Sequence, residues 1–281
     1  MFKMKKLAVC GMAAAITCGA SMTALAADLV LVDSAYNQGA VTVSAFTING
    51  AAGGDKVDKA VNMEANKEAL KDLYSLLPNT DGKDMDEAYA PLLKEEKDKV
   101  AKGLELIDGW AYAVNASMEN QARDLGTTVD KAGYYAKLTY DVGTATPDLL
   151  SYSHTMESYL GGAHAMIDVD TKTYNLKNGK ELELKYLFKN VSYKERLEWI
   201  IDKHQKSANA LKKTMGQPEV EYFKHEIEGD EDFVYQTKDL SKIGLTLIYE
   251  PGEIAPMSEG VVTYDIPLDD IFDIMSDKKL K

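Results

Sequence analysis

Val41-Thr42-Val43-Ser44-Ala45-Phe46-Thr47-Ile48 alternates apolar and polar residues, the period of a half-buried strand. After the loop Asn49-Gly50-Ala51-Ala52-Gly53-Gly54 the period changes. Val57, Val61, Ala65, Ala69, Leu73 and Leu77 recur every four residues, with lysine, aspartate and glutamate between them. That spacing lays an apolar stripe along one face of a helix, stopped by Pro78 and the turn that follows it. A strand followed directly by an amphipathic helix sets the class to be tested on the rest of the chain.

Working outward, Leu29–Val32 reads as an earlier strand. A second helical stretch begins near Asp84, with Pro91 near its first turns and Leu92, Leu93, Val100, Leu104 and Ile107 on its apolar face. Periodicity leaves Trp110–Val114 open between strand and helix, and Gly103 and Gly109 weaken a helix there. We take the helix through Arg123. Strands are expected at Tyr134–Val142, Leu149–Glu157, Val220–His225, Phe233–Gln236, Leu245–Tyr249 and Val261–Ile266. A hairpin is expected from Ala165–Val169 through a turn at Asp170–Thr173 to Tyr174–Leu176, leading by Asn178-Gly179-Lys180 into Glu181–Leu187. Ser192 and Glu195 have the spacing of a capping box for a helix from Tyr193 to about Met215, and Leu268–Met275 reads as a short closing helix. Helices in two clusters and strands grouped elsewhere predict an α+β fold. It has a mainly antiparallel sheet with packed helices and a helical insertion in the N-terminal half. The chain divides as 1–26, 27–130 and 131–281.

Residues 1–26 read as an address. Lys3, Lys5 and Lys6 precede the apolar run Leu7–Cys18, and Ala24-Leu25-Ala26 gives the small-x-small pattern of a secretory signal peptide cleaved before Ala27. Acylation at Cys18 is the weaker reading, because Thr17 stands where lipoprotein signals carry Gly, Ala or Ser. Both cysteines of the chain, Cys10 and Cys18, lie in this segment, so its removal would leave no thiol or disulfide chemistry. No later run is long and apolar enough to span a membrane. The 281 residues carry 45 acidic and 32 basic side chains, a net −13, which disfavours nucleic acid and favours a cationic partner.

Several constellations invite chemistry. His164 follows Gly161-Gly162 and has the makings of a base or ligand. We read the glycines as a turn or bulge and the histidine as satisfying a buried hydrogen bond. His154 and Glu157 project to opposite faces of a strand. Asp168-Val169-Asp170 resembles the start of a calcium loop, but Thr173 and Gly179 stand where its glycine and glutamate belong, and a hairpin turn fits better. The acidic run Glu226–Asp232 suits calcium or a basic partner, with a solvated loop as the plainer reading. Tyr134, Tyr135, Tyr140, Tyr152 and Tyr159 are open to a sugar-binding face or to packing over the sheet. No metal, cofactor or phosphate-binding spacing is present.

The second half carries a longer pattern. Ser158-Tyr159-Leu160-Gly161-Gly162-Ala163-His164 is followed by Tyr174–Leu182 and Leu187-Phe188. Leu247-Ile248-Tyr249-Glu250-Pro251-Gly252-Glu253-Ile254-Ala255-Pro256 then precedes Gly260 and Tyr264-Asp265-Ile266-Pro267. From about residue 130 onward this resembles the extracellular domain of RsiV-type anti-sigma-V factors, a domain also found as an accessory domain of a peptidoglycan deacetylase. Gly252 and Met257 depart from the aromatic residues usual in that family. In the anti-sigma members the domain binds lysozyme. The resemblance therefore implies an exported cell-envelope binding protein, more binder than enzyme, engaging lysozyme, another cationic protein or a peptidoglycan-type polymer. The alternative is a wall glycan hydrolase or deacetylase-associated domain with unidentified carboxylates. No cofactor is implied. The contact is placed where the family strings lie, at Tyr159, Gly161, Gly162, His164, Tyr249, Glu250, Glu253 and Pro256.

Overall fold

The computed structural model describes residues 29–78, 84–94, 96–237 and 243–276. The leader at 1–26, with Cys10 and Cys18, lies outside the described residues. The alternating opening segments form an antiparallel pair, β1 (Val30–Gln38) and β2 (Val41–Asn49), in unbroken register from Val30 opposite Asn49 to Gln38 opposite Val41. Both are nine residues long, and β1 runs well past the Leu29–Val32 piece legible in sequence.

Four helices follow: α1 (Asp55–Ser75), α2 (Met85–Leu93), α3 (Lys99–Asp124) and α4 (Val129–Ala132). The stretch expected as one helix from Asp84 is two. Pro91 has no N–H for the helical ladder, α2 stops two residues later, and Asp98 starts α3 by accepting from Ala101 N at 3.0 Å. Trp110–Val114 is helical, inside α3. Gly103 lets α3 lie close on α1, since a Cβ there would sit 2.6 Å from Asn66 Nδ2.

The helical crossover allows the chain to return as a parallel neighbour of β2. β3 (Tyr135–Ala145) pairs parallel with β2 only over Val41–Val43, opposite Ala136–Leu138. β4 (Leu149–Tyr159), β5 (Met166–Asn175) and the two-residue β6 (Lys180–Glu181) complete a six-stranded sheet in sequence order, antiparallel apart from the β2–β3 pair. Strands from both sides of residue 130 thus share one sheet. Beyond the parallel pairs, the amide of Asn62 on α1 replaces a neighbouring strand for β2. It accepts from Ile48 N at 2.7 Å and donates to Ile48 O at 2.9 Å.

β5 corrects the expected hairpin. Asp170–Thr173 is not a turn, and all ten residues from Met166 to Asn175 pair with β4. Within this polar run Thr171 bonds Asp232, Lys172 meets Glu181 and Glu68, and Thr173 bonds Ser151, so the extended backbone keeps its polar side chains partnered at these three positions. Of residues 181–187 only Glu181 belongs to a strand, and a 3-10 turn occupies Leu184–Leu187.

One face of the large sheet is covered by α1 and α3. Leu70, Leu73, Ile107, Val114 and Met118 meet Val41, Val43 and Leu138, while Val57, Val61 and Ala65 meet Phe46, Ile48 and Leu150. Each such side chain contributes roughly 1.5–3 kcal/mol on leaving water. The second core lies between α5 (Tyr193–Thr214) and a three-stranded antiparallel sheet of β7 (Phe233–Gln236), β8 (Gly244–Tyr249) and β9 (Val262–Pro267), with Leu187, Leu197, Leu247 and Ile266 inside. Ser192 precedes α5 without capping it, as its hydroxyl turns to Asn190 Oδ1 instead, and no capping box forms. Leu268–Ile271 is a single closing turn, α6. Val220–His225 is irregular: the Asn209 amide takes both the N–H and C=O of Val220, at 2.8 and 2.9 Å, and Phe223 N donates to Ile254 O at 2.8 Å.

The small sheet is fastened to the back of the large one by hydroxyls. Tyr235 N donates to Ser151 Oγ (2.8 Å), Phe233 N to Thr171 Oγ1 (2.8 Å), and Thr144 Oγ1 donates to Tyr235 O (2.5 Å). Gly143 allows the approach, since a Cβ there would lie 2.4 Å from Val234. Among the described residues no helix is long and apolar enough to cross a membrane.

Candidate functional site

Two groups of acidic residues stand out, one sealed and one open. Glu68 and Asp72 lie one turn apart on α1 and face β4 and β5. Tyr152 Oη donates to Glu68 Oε2 at 2.9 Å, and Lys172 Nζ lies 3.8 Å from the same carboxylate. His154, 2 % exposed, stacks on Tyr140 with ring centroids 4.4 Å apart, and its Nε2 lies 3.2 Å from Asp72 Oδ2 without an aligned N–H bond. Burial, reinforced by Asp168 and Asp170, pushes the Asp72 carboxyl up to about 8. Burial likewise lifts Glu68 to about 7 against the pull of Lys172, and lowers the His154 imidazole to about 4. Near neutrality burial thus favours the neutral form of both the Asp72 carboxyl and the His154 imidazole, and no aligned hydrogen bond joins them. These carboxyls face Tyr152 and His154 inside the protein rather than a substrate, so the arrangement suits holding protons rather than hydrolysis.

The open group lies where the irregular segment before β7 meets the turn after β8. A cleft of about 510 Å³ is lined by Glu226, Glu228, Asp230, Glu231, Asp232 and Glu253, with Lys224 and His225. Several of these acids also build the loop. Glu231 accepts from Glu228 N and, at 2.8 Å, from Gly229 N. Asp232 accepts from both Thr171 N (3.1 Å) and Thr171 Oγ1 (2.7 Å). Glu226 meets Lys224 at 2.8 Å, whereas Glu228 and Asp230 are exposed. Tyr249, 1 % exposed, packs edge-on against His225 with centroids 5.0 Å apart. Its hydroxyl is buried without a hydrogen-bond partner, and burial with the fields of Glu231 and Glu253 raises its pKa.

The residues chosen from sequence fall in two places. At the end of β4, Tyr159 packs on Tyr134 and its hydroxyl donates to Gly162 O at 3.0 Å, closing the β4–β5 turn. Gly161 and Gly162 take φ of 99° and 114°, a left-handed backbone that only glycine adopts without strain. His164 is exposed on that turn, which corrects the expectation of a buried hydrogen bond there. In the second place, Glu250 N donates to Glu253 Oε2 (2.9 Å), and Glu250 Oε1 accepts from Val169 N (3.3 Å). A hydrogen bond with Asp168, and then burial, hold a proton on Glu250 up to about pH 7. Pro256 is half-buried and starts a 3-10 turn at Met257–Glu259. Glu250 meets β5 at Val169, five residues after His164, which stands on the turn before the strand. Tyr249, Glu250 and Glu253 border the acidic cleft, and His164 does not reach it.

The tyrosine row is packing on its central members: Phe46 lies against Tyr140 and Tyr152 at 5.0 and 4.9 Å. Asp168 and Asp170 belong to a strand, not to a calcium loop. Among the described residues no three His, Cys, Asp or Glu are placed to hold a metal ion. Sequence reading missed Glu68, Asp72, His154 and Lys172 as a group. The available signal was two acids at i and i+4 on the stripe side of the first helix.

Residues 185–269, just under a third of the chain, match a family described as "Protein of unknown function (DUF3298)". The matched segment holds α5, the small sheet and the whole acidic cleft. The fold is similar to that of a DUF3298 family member from Bacteroides fragilis, at 16% sequence identity and a TM-score of 0.51, over 90% of this chain and 94% of that one. A DUF3298 family protein from Pseudomonas aeruginosa aligns at 15% identity with a TM-score of 0.46, over 89% of this chain and 94% of that one. No curated protein matches.

Proposed function

We propose that the chain is an exported, non-enzymatic binding protein of the cell envelope that engages a cationic protein, a lysozyme above all, through the cleft between the Glu226–Asp232 segment and Glu253. The observation that carries this reading is the lining itself: six carboxylates against one lysine, beside the Tyr249–Pro256 string on which the resemblance to RsiV-type lysozyme-binding domains rests. The chain as a whole, at −13, adds a long-range attraction to such a partner. The partly engaged acids Glu231 and Asp232 hold the loop in shape, leaving Glu228 and Asp230 exposed for contact.

Titration calorimetry of the full chain with lysozyme, with acetylated lysozyme and with isolated sacculi tests the reading. We expect binding to native lysozyme that weakens as salt shortens the Debye length from about 10 Å at 0.1 M toward 3 Å at 1 M. Acetylation of the lysozyme lysines should weaken it, as should the triple variant Glu228→Gln, Asp230→Asn, Glu253→Gln, by about tenfold. Binding indifferent to both salt and the triple variant overturns the role of the cleft. Binding to sacculi alone redirects the proposal to a wall polymer, and release of soluble muropeptides replaces it with an enzyme.

A further inference from the structure

The two long edges of the six-stranded sheet are finished differently. Along β5, outside the short β6, the outward N–H groups of Val169 and Thr171 are taken by Glu250 and Asp232, so no further strand can add there. Along β1 no such cover exists among the described residues. The strand spans nine residues and carries one charge, Asp33, with Val30 and Val32 exposed at 40 and 48 %. It has no proline, lysine or bulge, the usual guards of an edge.

The outward groups can be identified. Gln38 and Val41 flank a two-residue turn and so exchange both hydrogen bonds, and from there the bonded pairs alternate. Gln38, Tyr36, Ser34, Val32 and Val30 bond to β2. The N–H and C=O groups of Leu31, Asp33, Ala35 and Asn37 therefore point away from the sheet. The same parity turns Ile48 away from β1, and its backbone is indeed bonded to Asn62 instead.

We propose that β1 is a homodimerisation edge, pairing antiparallel with β1 of a second copy about a two-fold axis at Ser34. An antiparallel edge is its own complement. It is also a nearly uncharged strip on a chain of −13, where two copies meet without opposing their acidic surfaces. With the axis at Ser34, Leu31 faces the partner's Asn37 and Asp33 faces the partner's Ala35, giving about eight hydrogen bonds. That register keeps the two Asp33 carboxylates from standing opposite each other and sets exposed Val32 beside the partner's Tyr36 on the closer, non-bonded rungs. The resulting sheet runs continuously through both copies.

Light scattering and amide hydrogen exchange on the full chain, across a concentration series, test this directly. The expected result is a concentration-dependent dimer in which the Leu31, Asp33, Ala35 and Asn37 amides become protected. Ala35→Pro removes only an outward donor and should abolish the dimer while leaving the circular dichroism unchanged. Ala35→Asp and Ala35→Lys read the register and serve if the proline variant fails to fold. Opposite the partner's Asp33, the first should weaken dimerisation about fivefold and the second strengthen it by a similar factor. A monomer at all concentrations, a dimer without protection of those four amides, or a dimer indifferent to both Ala35→Asp and Ala35→Lys overturns the proposal. Protection that appears only when another protein is added overturns it too, in favour of a strand from a different partner.

Discussion

Glu68 and Asp72 on α1, and Glu228 and Asp230 on the loop before β7, are the same chemistry in opposite surroundings. The first pair lies against Tyr152, Tyr140 and His154 inside the protein, where burial keeps carboxyls protonated near neutrality. The second pair is exposed and free to present charge. Carboxylate count alone therefore overstates how acidic the working surface is. The position of each acid relative to the sheet decides whether it acts on stability or on a partner.

The largest test of the contrast is His154→Ala. It opens a cavity beside Tyr140 and the buried Asp72 carboxyl, and should cost about 3 kcal/mol in urea unfolding. A stability equal to that of the parent would break the claim that this group is part of the core. Asn62→Ala sharpens it with an uncharged buried group. Losing both bonds to Ile48 should cost about 2 kcal/mol, and by the same amount at every pH.

The buried acids, by contrast, should make stability depend on pH. Glu68 and Asp72 bind protons more tightly folded than unfolded. Their contribution is complete below about pH 4 and is lost as the pH rises through about 7 and then 8. His154, lowered from 6.5 to about 4, runs the other way: its contribution is complete above 6.5 and is lost as the pH falls through about 4. Below pH 6.5 the His154 slope offsets only one of the two acids, so stability should already fall as the pH rises from about 4.5, with a further net loss of roughly 2–3 kcal/mol between pH 6.5 and 8.5. Asp72→Asn should remove the upper part of that slope in thermal melts, and a melt flat over this range in the parent contradicts the assignment. The smallest effect belongs to the loop. Glu228→Gln should leave the unfolding midpoint unchanged and alter only the binding of cationic proteins.

Much of the architecture was legible because it is periodic. The four-residue spacing from Val57 to Leu77 marked α1, alternation marked β2, and strand-like apolar and aromatic runs marked β3, β4, β8 and β9. What failed has a common cause. Asp170–Thr173 reads as a turn because polar residues cluster there. It is part of a strand because Asp232 and Glu68, distant in the chain, accept the Thr171 amide and balance the Lys172 charge. Val220–His225 reads as a strand because of its composition, yet a single asparagine, Asn209, satisfies the backbone of Val220. Ser192 has the spacing of a cap and lost its hydroxyl to Asn190.

The candidate site divides along the same line. The acidic run Glu226–Asp232 and the Tyr249–Pro256 string are visible as local patterns, but nothing local says that they border one cleft while His164 stands apart. Sequence by itself determined the class of fold, the helical insertion, the excess of negative charge and the glycines that turn β4 into β5, because periodicity, composition and backbone freedom are properties of neighbouring residues. Only the tertiary structure decided which acids keep their protons and which edge of the sheet stays open. Both depend on desolvation and hydrogen bonding by groups tens of residues away, whose placement no short stretch of chain encodes.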